Sequence, residues 1–76
     1  MEKLAEKRCY DGKDVEIYRN EASGLWSAYL RKEDGAYLLI HNCPSKEYVI
    51  YDLEYCELAK RNPRNHKLTE VDESAR

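Results

Sequence analysis

The sequence predicts an all-β fold: a small five-stranded antiparallel barrel, built as a meander and followed by a flexible tail. Three observations carry this. Four short runs, KDVEIYRN, LWSAYLRK, AYLLIHN and EYVIYDL, follow one another between Lys13 and Leu53. The links between them, EASG, EDG and CPSK, are made of turn-forming residues. Runs of this kind joined by short turns are the pattern of antiparallel strands paired in chain order. The third observation is the aromatic content, with seven Tyr, one Trp and no Phe. Tyr packs its ring while its hydroxyl stays wet or hydrogen-bonded, which suits a thin sheet with two half-exposed faces.

Residues 1–11 read as an irregular or short-strand lead-in. Asp11-Gly12 is a strong turn dipeptide, because both residues tolerate positive φ. A long hairpin across it would set Glu6 and Arg8 opposite Ile17 and Val15. Charges facing a core stripe argue against extended pairing.

The barrel domain is expected over residues 12–61. Its first strand is Asp14 to Arg19, with Val15 and Ile17 on one face and Glu16 and Tyr18 on the other. Asn20 to Gly24 turns the chain. The second strand, Leu25 to Arg31, has Trp26, Ala28 and Leu30 in phase, and Glu33-Asp34-Gly35 closes a tight hairpin. The third, Ala36 to Asn42, is apolar on both faces, as a central or doubly covered strand is. Pro44 breaks the next loop, since it cannot donate to a ladder. The fourth strand is Glu47 to Tyr51. Val15, Ile17, Ala28, Leu30, Leu39 and Val49 are the expected core.

Asp52 to Arg61 has two readings. Asp52 can cap a helix that stops at Asn62-Pro63, giving an α+β domain of a four-stranded meander plus a C-terminal helix. Alternatively Asp52 to Tyr55 is a single turn, and Cys56 to Ala59 is a closing strand. The second reading is favoured, because four strands need a fifth to close a barrel. Residues 62–76 are polar and read as the flexible tail.

Seventy-six residues make one domain near the lower size limit for independent stability. A formal net charge of −2 creates no field that would gather nucleic acid. No run is long and apolar enough to span a membrane. Met1 to Cys9 lacks the apolar core of a signal peptide, so a cytoplasmic location is expected. Three cysteines, Cys9, Cys43 and Cys56, cannot pair completely and fit no disulfide framework. They lack the paired knuckle spacing of a structural zinc site. Free thiols, no metal and no cofactor are therefore expected.

The series DGKDVEIY, GLWSAYL, DGAYLLIH and EYVIYDLEYCEL resembles the Tudor and Agenet group of SH3-like barrels. Gly24, Trp26, Ala28 and Leu30 match that group's second-strand signature. Val49, Leu53 and Leu58 match its closing portion. The resemblance covers about Gly12 to Leu58. It implies a cage at one rim that holds a cation against aromatic faces. The matching positions are Tyr18, Trp26, His41 and Pro44, the last two standing where the family has aromatics. Tyr29, Tyr37, Tyr48 or Tyr51 would complete the cage only under a different register. Tyr29 is included among the ligand-binding residues, and the rim is expected to set Tyr18 beside Trp26.

The expected function is that of a non-enzymatic protein- or peptide-binding module, an adaptor or small inhibitor. Its ligand-binding residues would be Tyr18, Trp26, Tyr29 and His41 at the aromatic rim, or an exposed sheet edge would serve. His41 and Cys43 run into a proline-containing loop and lack the third group and shaped cleft of a catalytic dyad. A small barrel binding nucleic acid through aromatic platforms is the alternative. The clearest cationic cluster, Lys60 to Lys67, reads better as a solvated tail. The expected state is a monomer or weak homodimer.

Overall fold

The computed structural model describes residues 2–56. Its strands are β1 (Glu2–Tyr10), β2 (Lys13–Asn20), β3 (Trp26–Lys32) and β4 (Gly35–Cys43), and its helix is α1 (Lys46–Tyr55). The strands pair antiparallel in chain order, β1-β2-β3-β4. The expected meander is therefore present, and each hairpin has a local cause. Asp11 (φ 54°) and Gly12 (φ 78°) both adopt the left-handed conformation of a two-residue hairpin turn. After β2, Asn20 Oδ1 accepts from the N–H groups of Ala22 (2.9 Å) and Ser23 (3.1 Å), folding the loop back on itself. Lys32 pairs with Gly35 across the Glu33-Asp34 turn.

The main core lies on one face of the sheet. Val15, Ile17, Ala28, Leu30, Leu39 and Cys43 pack beneath Val49 and Leu53 of α1, with Trp26, Tyr10, Ile40 and Ile50 around them. All six residues expected in the core are buried, at 7% exposure or less. Each of the Val, Ile and Leu side chains contributes about 1.5–3 kcal/mol on burial.

Three expectations are corrected. The sheet does not close into a five-stranded barrel. Among the described residues β1 and β4 remain its edges, and α1 covers the face that a barrel would have turned inward. The run Glu47 to Tyr51 is helical, not a fourth strand. Its β-branched and aromatic residues favour extended chain in isolation. Ser45 caps the helix, its hydroxyl accepting from Tyr48 N–H at 3.3 Å, and packing on the sheet overrides that preference. Val49 and Leu53 then fall one turn apart and enter the core together. The class is that of the α+β alternative, a four-stranded meander plus a helix, but residues 2–10 supply the strand expected from Glu47 to Tyr51, and the helix starts ahead of Asp52.

The N-terminal lead-in is the third correction, since residues 2–10 form a full strand. Glu6 does stand opposite Ile17 and Arg8 opposite Val15. A bulge at Ala5, where the register shifts between Leu4 and Glu6, sets that phase. The charges are tolerated because α1 supplies partners for them. The closing strand expected beyond Cys56, the cationic cluster Lys60 to Lys67 and the tail 62–76 lie outside the described residues. Among the described residues, no helix is long and apolar enough to cross a membrane.

Candidate functional site

The helical period gives α1 two unlike sides. Val49 and Leu53, at 0% and 2% exposure, face the sheet. Tyr48, Tyr51 and Tyr55 recur on the opposite side and are 59%, 56% and 73% exposed. Tyr51 and Tyr55, one turn apart, stack with ring centroids 4.8 Å apart and planes inclined by 29°. Tyr48, Tyr51 and Glu47 line a shallow groove of about 470 Å³. Glu47, Asp52 and Glu54 flank the aromatic stripe, so carboxylates border it on both sides.

An ion network fastens this helix to β1. Lys46 Nζ lies 3.3 Å from Glu6 Oε1, and Arg8 donates to Glu6 and, at 2.9 Å, to Glu54. The Tyr10 hydroxyl donates to Glu54 at 3.2 Å. Hydrogen bonds from Arg8 and then Lys46 hold the Glu6 carboxyl below the usual carboxylate range. Burial pushes the Tyr10 phenol up. Glu47 is exposed, lines the groove and has no ion pair among the described residues.

The sheet's other face is aromatic and polar. Tyr18 and Tyr29 meet edge to face at 5.4 Å, with Ala36, Leu38 and Leu4 packed around them. The Tyr18 hydroxyl donates to Glu16 at 2.6 Å, and Arg31 grips both Glu16 oxygens, at 2.7 and 3.1 Å. A buried carboxylate is tolerated here because it is paired and hydrogen-bonded. Burial, reinforced by the charge on Glu2, pushes the Tyr29 phenol up to about 12. Burial also raises the Glu2 carboxyl, against the opposing influence of His41. A groove of about 370 Å³ opens near this face beside Lys7, Cys9, Asp14, Glu16 and Arg31. Its two most buried charges, Glu16 and Arg31, are already bound to each other.

The four residues expected at the rim are dispersed. Tyr18 and Tyr29 come together, but at 0% and 2% exposure they present little surface to a ligand. Trp26 is half-buried against the helix-covered core, on the opposite face from Tyr18. The register is the reason: Tyr18 pairs with Ser27 and Arg19 with Trp26, so Tyr18 and Trp26 are out of phase across the pleat. His41 is exposed near the end of β4, and Pro44 is exposed in the loop beyond. The tyrosines of α1 were missed as a group because their run read as a strand. Their signal was the spacing of Tyr48, Tyr51 and Tyr55 after Ser45, in phase opposite Val49 and Leu53.

All three cysteines are free, with Cys9 and Cys56 exposed and Cys43 buried. Burial, reinforced by Asp52, raises the Cys43 thiol, which keeps it protonated. Among the described residues no cluster of His, Cys, Asp and Glu is arranged to hold a metal ion. No family model matches this sequence, and neither does any curated protein or solved structure.

Proposed function

We propose that this chain is a non-enzymatic protein-binding module, an adaptor or small inhibitor, whose contact surface is the outer side of α1. One observation carries the reading. Tyr48, Tyr51 and Tyr55 are more than half exposed on one side of one helix, while the other tyrosines of the helix-bearing sheet are mostly packed. Folding does not call for three large aromatic rings in water. Contact surfaces do, because Tyr is enriched at their energetic centres and offers area at little entropic cost. The anchoring by Val49, Leu53 and the Lys46–Glu6–Arg8–Glu54 network supports it too, since a rigid platform has less ordering to do on binding.

The test uses the full chain as bait beside a variant carrying Tyr48→Ser, Tyr51→Ser and Tyr55→Ser. The expected result is a stoichiometric partner held by the wild type and lost by the variant, with the two proteins melting within a few degrees of each other. Retention of the partner by a folded variant would move the contact surface elsewhere, to a sheet edge first of all.

A further inference from the structure

The geometry points to an arginine-bearing peptide segment as the occupant of the α1 stripe, its guanidinium seated in the Glu47–Tyr48–Tyr51 groove. The inference rests on the reading of that stripe as the contact surface and specifies what it recognises. Three features of the site converge. The groove has two aromatic walls and one carboxylate wall. A tyrosine ring offers its negative face to a cation, and arginine adds planar stacking that lysine cannot. Glu47 supplies an acceptor whose charge no described residue neutralises, and carboxylate pairing with the flat guanidinium fork is directional.

Charge at the rim of the stripe gives the same polarity. Lys46, the sole cation on α1, is drawn away toward Glu6 on the sheet side, 3.3 Å off. Asp52 and Glu47 are left on either side of the tyrosines, with Glu54 partly satisfied by Arg8. An acidic segment would meet these carboxylates as like charges. A purely apolar one would leave Glu47 desolvated without a partner, which is costly. A second stacking surface, the paired rings of Tyr51 and Tyr55, lies one turn further along. It suits a second arginine, or an aliphatic side chain, of the same segment.

The experiment titrates the full chain with a tetra-arginine peptide, its tetra-lysine counterpart and its tetra-citrulline counterpart, observed through amide and tyrosine-ring chemical shifts. The expected result is saturable shifts centred on Tyr48, Tyr51 and Tyr55 with the arginine peptide. Binding should be weaker with lysine and lost with citrulline, which keeps the shape without the charge. Glu47→Gln and Tyr51→Ala should each lower the arginine affinity, by about fivefold for a lost ring contact. Shifts located elsewhere would overturn the inference. So would equal lysine and arginine affinities that ignore Tyr51→Ala and vanish with salt, since that is unspecific charge attraction. If no cationic peptide binds while the triple serine variant still loses its partner, the arginine assignment fails and the contact surface stands. If the triple variant keeps its partner, both fail.

Discussion

The tyrosines of the sheet and those of the helix are the same side chain put to opposite uses. Tyr18 and Tyr29 are sealed in the sheet's second face, edge to face, with the Tyr18 hydroxyl bound to Glu16. Tyr51 and Tyr55 are stacked in water, and Tyr48 is exposed beside them. Where the sheet packs around the ring, as at Tyr18 and Tyr29, the ring fills space and becomes structural. Where the ring is more than half exposed, as at Tyr48, Tyr51 and Tyr55, it is available to the proposed contact surface. Residue type is thus silent about role in this chain, and burial decides it.

The largest expected effect separates the two groups by stability. Tyr18→Ala should destabilise the fold by about 3–5 kcal/mol, the usual cost of emptying a large buried aromatic site. Tyr18→Phe keeps the ring and removes the hydroxyl that donates to Glu16 and interacts with Arg31, so about 1.5–3 kcal/mol is expected for the bond to the charged acceptor. Denaturant unfolding measures both. A near-neutral Tyr18→Ala would break the comparison by making the sheet tyrosines as dispensable as those of the helix.

Acid and alkali should sharpen it by acting on different regions. The folded chain holds the Tyr29 phenol up to about 12, whereas an unfolded tyrosine releases its proton near 10. The native state therefore keeps a proton the unfolded state has lost. Tyr29's contribution is complete below about pH 10 and falls as pH rises toward about 12. Tyr29→Phe should flatten that alkaline limb of the stability curve. Glu6 has the opposite sign, its carboxyl being held low by Arg8 and Lys46. Its contribution is present above the ordinary carboxylate value and is lost as pH falls through its depressed folded value. Glu6→Gln should flatten the acid limb, and amide exchange should place the acid loosening at β1 and α1. An acid limb unchanged by Glu6→Gln would mean that the network does not hold the helix.

The smallest stability effect belongs to the helix tyrosines. Tyr51→Ser with Tyr55→Ser removes one exposed ring pair, and i, i+4 contacts of this kind contribute about 0.2–0.5 kcal/mol. Thermal melting should register little change. A loss of several kcal/mol would place these rings in the fold's own packing and remove the argument for a contact surface.

Much of the sheet was legible in the sequence. Val15 and Ile17, then Ala28 and Leu30, alternate with the period of two that places them on one buried face, and Asp11-Gly12 has the chemistry of the turn it makes. β1 was less legible, because Glu6 and Arg8 look wrong opposite a core stripe until Lys46 and Glu54 arrive from a helix far along the chain. The α1 segment was misread because Tyr48 to Tyr51 is a run of β-favouring residues whose strand signal outweighed a single serine cap. The predicted rim failed to assemble for a related reason: pairing Tyr18 with Ser27 sends Trp26 to the other face, and one residue of register reverses every side chain.

By itself the sequence determined what local chemistry can specify. It set the positions of the turns, the alternation along β2 and β3, and the aliphatic set that becomes the core. The tertiary structure alone decided that the sheet stays open, that residues 46–55 wind into a helix, and which tyrosines are buried. The physical reason is that these outcomes depend on long-range partners. A charge on β1 is acceptable only beside its counter-charge on α1, a β-favouring run turns helical only when Val49 and Leu53 have a sheet to cover, and a tyrosine is structural only where neighbouring strands pack around its ring, as Ala36, Leu38 and Leu4 do around Tyr18 and Tyr29.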